Sequence, residues 1–277
     1  MPSSGSSLSS SIGSRKKPEI DLASLAEQFD TDGFCVAESV IPPEDVQSVI
    51  PRMDALIAGD YETGVPPHSG FRPGDPTDRL IKIDQPHLSD HMVRSFVSHP
   101  EIGRCAAEAT GAGWVQLWAV QLLVKPSGSG SGGHIGFHQD MQHWTKWFRG
   151  EVFTGWVALT EVELDCGPMT FVRGSHRWGL NENPSHFRDT DLDEQSESIP
   201  RPDTAEWEEI AATMTSGSVS FHHRLTYHGS RSNVSGKSRR SFAVHLRTEN
   251  SDPLDTIGGY YNENLEDPDL CPVIYSE

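Results

Sequence analysis

Apolar residues recur at helical spacing near the start of the chain and at strand spacing beyond its middle. Ile20, Leu22, Leu25 and Phe29 share one helix face, and Asp32-Gly33 stops that helix. "GFCVAESVI" reads as a strand, and "PPEDVQSVIPRMDALIAG" as a second helix with a kink at Pro51. Residues 59–79, rich in Gly, Pro and Asp, predict a long loop. "RLIKID" predicts a short strand carrying Lys82, and "HPEIGRCAAEATG" a helix closed by Gly111 or Gly113.

After Gly113 the rhythm changes. "WVQLWAVQLLVKP" predicts a strand ended by the "SGSGSGG" loop. "EVFTGWVALTEV", "GPMTFVRG", "GSVSFHH" and "RRSFAVHLRT" predict further short strands between turn signals. Such a run points to a sandwich or barrel rather than parallel βαβ units. Residues 179–209 are polar, acidic and aperiodic, which predicts disorder or a functional loop such as a lid. The expected architecture is mainly β. It has a jelly-roll core over about 114–250 and N-terminal helices packed on one side, with 20–277 as one domain.

Composition narrows the partners. A chain of 277 residues buries a sizeable core without disulfides. Its net charge of −18 argues against nucleic acid, which needs a basic surface. No apolar run is long enough to span a membrane. Cys35, Cys105, Cys166 and Cys271 are scattered, form no zinc-like cluster, and read as reduced thiols of a cytoplasmic protein. Residues 1–19 are Ser-rich and lack the apolar stretch of a secretory signal, so they predict a disordered tail.

The candidate chemistry lies in "GHIGFHQDMQHW", residues 133–144. About two His-x-acid pairs are expected by chance in such a chain, and two occur, His99-Pro100-Glu101 and His138-Gln139-Asp140. Context separates them. His99 opens an apparent helix, whose positions i and i+2 point apart. His138 follows a Gly-rich loop in strand-like sequence, where i and i+2 share a face, so His138 and Asp140 could reach one ion. A third ligand would come from His176, His186, His222, His223, His228 or His245. His228, between two strands, completes two imidazoles and one carboxylate, the facial triad of non-haem Fe(II) oxygenases. That set leaves positions open for a 2-oxo acid and O₂, whereas zinc favours fuller His or Cys ligation.

A 2-oxo acid with a distal carboxylate also needs a cation, best an arginine fork. In "KSRRSFAVHLRT", Arg240 shares a face with Phe242, Val244 and Leu246, the packed face. Arg239 shares the more polar face with Ser241, Ala243 and His245, and is the choice.

At this point the chain resembles the phytanoyl-CoA dioxygenase family of Fe(II)/2-oxoglutarate oxygenases over about residues 25–250. The resemblance rests on "HQD" at 138–140, "HGS" at 228–230, and Arg239 eleven positions after His228. "GPMTFVRGSH" and "FDTDGFCVAESVIPPEDV" are similar to two further family regions. The resemblance implies a double-stranded β-helix with the three metal ligands at one mouth. It implies that Ser230 and Arg239 hold the 2-oxoglutarate carboxylate. It also implies a cosubstrate pocket bordered by Lys82, the aromatic wall Trp156 and the polar Gln121. Cys166 stands where the family usually has Asn before Gly, which puts that turn in doubt. Asp140 is present where halogenating relatives carry a small residue.

The expected activity is oxidation of a C–H bond in a small, largely apolar secondary metabolite: hydroxylation, or alternatively desaturation, epoxidation or ring formation. An acyl-CoA, or an amino acid or osmolyte, is the alternative substrate. A non-catalytic β-barrel binding protein and a zinc hydrolase are the rivals from other classes. His143, Trp144, Trp147, Phe148 and Phe153 are expected to pack in the core, with an apolar pocket lining as the other reading.

Overall fold

The computed structural model describes residues 21–183, 191–255 and 261–277. The Ser-rich tail, His186 and part of the 179–209 stretch lie outside the described residues. The N-terminal portion comprises α1 (Leu22–Asp32), β1 (Phe34–Ala37), α2 (Pro43–Ala58), β2 (Ser69–Gly70), β3 (Ile81–Asp84), α3 (His91–Val97) and α4 (Pro100–Thr110). Asp21 caps α1 by accepting the Ser24 amide hydrogen. α2 continues through Pro51 to Ala58. Gly111 closes α4 in the left-handed conformation, which settles the choice against Gly113.

Beyond these lie β4 (Trp114–Lys125), β5 (Ile135–His138), α5 (Met141–Trp144), β6 (Phe148–Ala158), β7 (Thr170–Val172) and α6 (Leu192–Ser198). Then follow β8 (Glu209–Ala211), β9 (Val219–His223), β10 (His228–Ser230), β11 (Arg239–Pro253) and β12 (Val273–Ser276). The strands form two antiparallel sheets. The larger runs β1-β9-β6-β11-β4-β3-β2, with β12 also on β4; the smaller runs β5-β10-β7-β8. This is the expected jelly roll, with helices on one side.

Alternation along the larger sheet gives it two unlike faces. Phe242, Val244 and Leu246 of β11, Phe153 and Val157 of β6, and Val219 and Phe221 of β9 point to the helices. There they join Leu25, Val46, Met53, Val97 and Ile102 in the main core. Each fully buried side chain of this kind contributes roughly 1.5–3 kcal/mol. The other face looks toward the smaller sheet.

β4 switches phase partway along. Val115 and Leu117 face the helices, but so do Val120, Leu122 and Val124. The change occurs at Trp118, which β11 skips: His245 pairs with Ala119 and Leu246 with Leu117. The bulge turns Trp118 onto the His245 ring, stacked at a centroid distance of 5.3 Å.

Within the 179–209 stretch, α6 docks on β5. The Gln195 side chain accepts from the Phe137 amide at 2.7 Å and donates to the Phe137 carbonyl at 2.7 Å. Leu192 and Ile199 pack beside Phe137 and Tyr227.

Candidate active site

β5 and β10 pair with His138 opposite His228, and β7 flanks β10 on its other side. His228 therefore sits in a short strand of its own, not in a connection between strands. Each histidine Nδ1 lies 2.9 Å from a backbone carbonyl two residues earlier, Gly136 for His138 and Thr226 for His228. A carbonyl only accepts, so each Nδ1 carries the proton and each Nε2 keeps its lone pair. Burial pushes the His138 imidazole down to about 4 and lowers His228 as well, which keeps both neutral and able to donate electron pairs to a cation.

Asp140 reaches the same point by a different route from the one its spacing implied. β5 ends at His138, and Asp140 has helical backbone angles, φ −55° and ψ −36°, at the start of α5. The bend is held from outside: Gln139 donates 2.8 Å bonds to the Gly179 and Leu225 carbonyls, and the Met141 amide donates to Arg224. Asp140 Oδ1 lies 3.8 Å from His138 Nε2 and 3.6 Å from His228 Nε2. The three buried side chains offer ligand atoms all within 4.8 Å of one another.

The second oxygen is already occupied. Oδ2 accepts from the Thr154 hydroxyl at 2.7 Å and from His222 Nε2 at 3.1 Å. Burial opposes ionisation of Asp140, but the imidazoles of His228 and His222, the latter by its hydrogen bond, hold the carboxyl well below its usual range. Thr154 has a single proton, which goes to the carboxylate. His245 Nδ1, 3.0 Å from the Thr154 oxygen, must then donate to it.

A cavity of about 740 Å³ opens beside these groups, within the range of small-molecule sites. Arg239 lies at one end, 5% exposed, with its guanidinium 4.9 Å from the Trp156 ring. It donates to the Gly167 carbonyl, and its Nε has no partner. Burial pushes it down to about 10, still charged at neutral pH. Gly167 has φ +63°, and a Cβ there would collide with the Arg231 carbonyl. The turn thus keeps its glycine although Cys166 precedes it. Arg240 faces the other way and bonds Asp54 at 2.6 Å, as strand parity required.

Ser230 and Gln121 line the cavity. Trp156 forms a wall, with its Nε1 unpartnered. Lys82 also lines it, paired with Asp84 at 3.5 Å. The charge of Lys82 acts on His143 and His245, toward the metal-side wall. The aromatic residues after the motif divide. His143, Trp144 and Trp147 border the cavity, whereas Phe148 and Phe153 are fully packed in two cores. His176 lies elsewhere, bonded to the Asp30 carbonyl. Thr154, Lys125 and Tyr261 escaped the sequence reading. Parity could have found two of them: Thr154 shares its strand face with Trp156, and Lys125 shares one with Gln121.

A jelly roll with two imidazoles and one carboxylate converging at its mouth, and an arginine deep in the adjoining pocket, has the architecture of the mononuclear non-haem oxygenase class. The profile of the phytanoyl-CoA dioxygenase (PhyH) family matches residues 29–241, and the chain belongs to that family. An ectoine dioxygenase of Bordetella parapertussis is 26% identical over 83% of this chain and 76% of its own. Among solved structures, the alpha-ketoglutarate-dependent carbocyclase SnoK of nogalamycin biosynthesis superposes with a TM-score of 0.67 at 21% identity, over 88% of this chain and 89% of its own. The epimerase SnoN, in complex with Fe³⁺, alpha-ketoglutarate and nogalamycin RO, gives 0.65 at 21%, over 84% and 85%. These structures share the fold.

Proposed function

We propose that the chain is an Fe(II)/2-oxoglutarate-dependent oxygenase in which His138, Asp140 and His228 hold the iron. The observation that carries this reading is the orientation of the donors. Two Nε2 lone pairs and one carboxylate oxygen are aimed at a common point, while every other polar atom of those side chains is held by a hydrogen bond. Three ligands of this composition fit ferrous iron with open positions better than four-coordinate zinc. Bound iron with 2-oxoglutarate and O₂ supplies the oxidising power, releasing succinate and CO₂ as a substrate C–H bond is oxidised.

The protein's own residues do the rest. Arg239 and Ser230 bind the distal carboxylate of 2-oxoglutarate. Trp156 and Gln121 shape the walls beside it, and Lys82 borders the substrate side. Thr154 and His222 fix the Asp140 carboxylate so that a single oxygen faces the ion. Trp144 and Trp147 offer apolar surface to a substrate and help exclude water. A small, largely apolar organic substrate, hydroxylated or otherwise oxidised at carbon, fits this lining. The names of the relatives, an ectoine dioxygenase and enzymes of nogalamycin biosynthesis, support a small-molecule substrate. Four buried free thiols support a reducing, cytoplasmic setting.

The test is direct. With ascorbate as the reductant in place of substrate, protein loaded anaerobically with Fe(II) and 2-oxoglutarate should form succinate when O₂ is admitted, and zinc-loaded protein should not. Succinate from the zinc form, or no O₂-dependent succinate from the iron form, would refute the assignment.

A further inference from the structure

Lys125, the last residue of β4, has no function in the reading above, yet its side chain is 0% exposed. Lysine is almost never buried so fully without a partner of opposite charge. In the β4–β11 ladder it stands directly across from Arg239, so two basic side chains lie side by side in the interior. Among the described residues neither has a carboxylate at ion-pair distance. Its Nζ instead faces three oxygens: Ser230 Oγ, the Ser230 carbonyl at 3.4 Å and the Arg231 carbonyl at 2.6 Å.

That arrangement constrains Ser230. When the negative charge of 2-oxoglutarate lies beside it, Lys125 is an ammonium with no lone pair, so Ser230 Oγ can only accept from it. The one hydroxyl proton is then directed away from Lys125. Ser230 lines the cavity, and a hydrogen bond received from a cation strengthens the next one donated. We propose that Lys125 is a positioning residue that turns the Ser230 hydroxyl toward the distal carboxylate of 2-oxoglutarate. With Arg239, it makes the pocket select a dicarboxylate over a monocarboxylate. The inference rests on the 2-oxoglutarate reading. Burial, and after it the charge of Arg239, push Lys125 down to about 6; an anion bound between the two cations favours the ammonium form.

Calorimetric titration of Mn(II)-loaded protein compares 2-oxoglutarate with 2-oxopentanoate, the same chain without the distal carboxylate. Lys125→Met should weaken 2-oxoglutarate binding by about 10- to 100-fold, the range for a lost hydrogen bond to a charged group. It should leave 2-oxopentanoate within about twofold, and Lys125→Arg should restore most of the dicarboxylate preference. Adding Ser230→Ala to Lys125→Met should bring little further loss, because both changes remove one contact. Equal weakening of the two acids, or unchanged 2-oxoglutarate affinity, would overturn the proposal. If Lys125→Met fails to fold, Lys125→Gln, which keeps donors but no charge, is read by the same comparison. Failure of the wild-type protein to bind 2-oxoglutarate would instead overturn the function on which this rests.

Discussion

The two faces of the larger sheet come from the same strands yet follow opposite rules. On the helix side, Phe153, Val157, Phe221, Phe242 and Val244 leave no polar atom to satisfy. On the cavity side, Ser220 Oγ, His222 Nδ1, Trp156 Nε1, Arg239 Nε, Ser241 Oγ and His245 Nε2 are buried without hydrogen-bond partners. Buried unpaired polar atoms each disfavour folding by about 1–3 kcal/mol. A face that keeps six of them is built for something other than its own stability. One face holds the fold together; on the other, Trp156, His222, Arg239 and His245 line the cavity and hold groups in wait for a ligand.

Substitutions should therefore separate sharply by face. Asp140→Ala, on the cavity side, should abolish O₂-dependent succinate release and remove stoichiometric iron. Full activity in this variant would take Asp140 out of the site. Phe242→Ala, on the helix side, should cost about 3–5 kcal/mol in urea unfolding. Its 2-oxoglutarate KM, measured below the unfolding range, should not move. Thr154→Val keeps the shape but frees Asp140 Oδ2 from its hydroxyl donor. Loss of such outer contacts typically weakens metal binding by about 10- to 100-fold, which competitive chelator titration would read.

Acid should affect both regions alike. His87, outside the cavity and bonded to the Leu270 carbonyl, and His245, inside it, are both pushed down to about 4 by burial. In the unfolded chain each protonates near 6.5. Between about pH 6.5 and 4 the unfolded state binds more protons. Stability therefore falls with acidification, by about 1.4 kcal/mol per pH unit for each such histidine. Urea midpoints at pH 7 and 5 should show this, and His87→Gln should remove one histidine's share. The smallest change is Ser241→Ala, which deletes an unpaired buried hydroxyl. It should be neutral or stabilising by less than about 1 kcal/mol, whereas a clear loss would mean that Ser241 has a partner.

The helix-side face was legible because apolar periodicity records it directly. So were His138, His228 and Arg239, since two fall in short segments of distinctive spacing and strand parity separates Arg239 from Arg240. Strand geometry was the ground for expecting Asp140 beside His138, whereas a bend after His138 is what brings it beside both histidines. Parity assumes that the strand continues, but the side-chain bonds of Gln139 bend the chain after His138, and those bonds come from residues 179 and 225. His222 and His245 were visible as candidates without roles, because their roles depend on contact with Asp140 and Thr154, far away in sequence. In "WVQLWAVQLLVK" the apolar run hid a change of phase, and nothing in it marks Lys125 as buried.

The extra residue in β4 also sets how that strand tolerates changes in length. Replacing Trp118 by another aromatic would leave the ladder intact and disturb only local packing. Deleting it would remove the bulge and restore strict alternation. Val115 and Leu117 would still face the helices and Gln116 the other side, because Leu246 already pairs with Leu117 and His245 with Ala119. A gap of one codon would therefore remove only the contacts of the Trp118 ring, its stacking on His245 among them, and leave both halves of the strand in register.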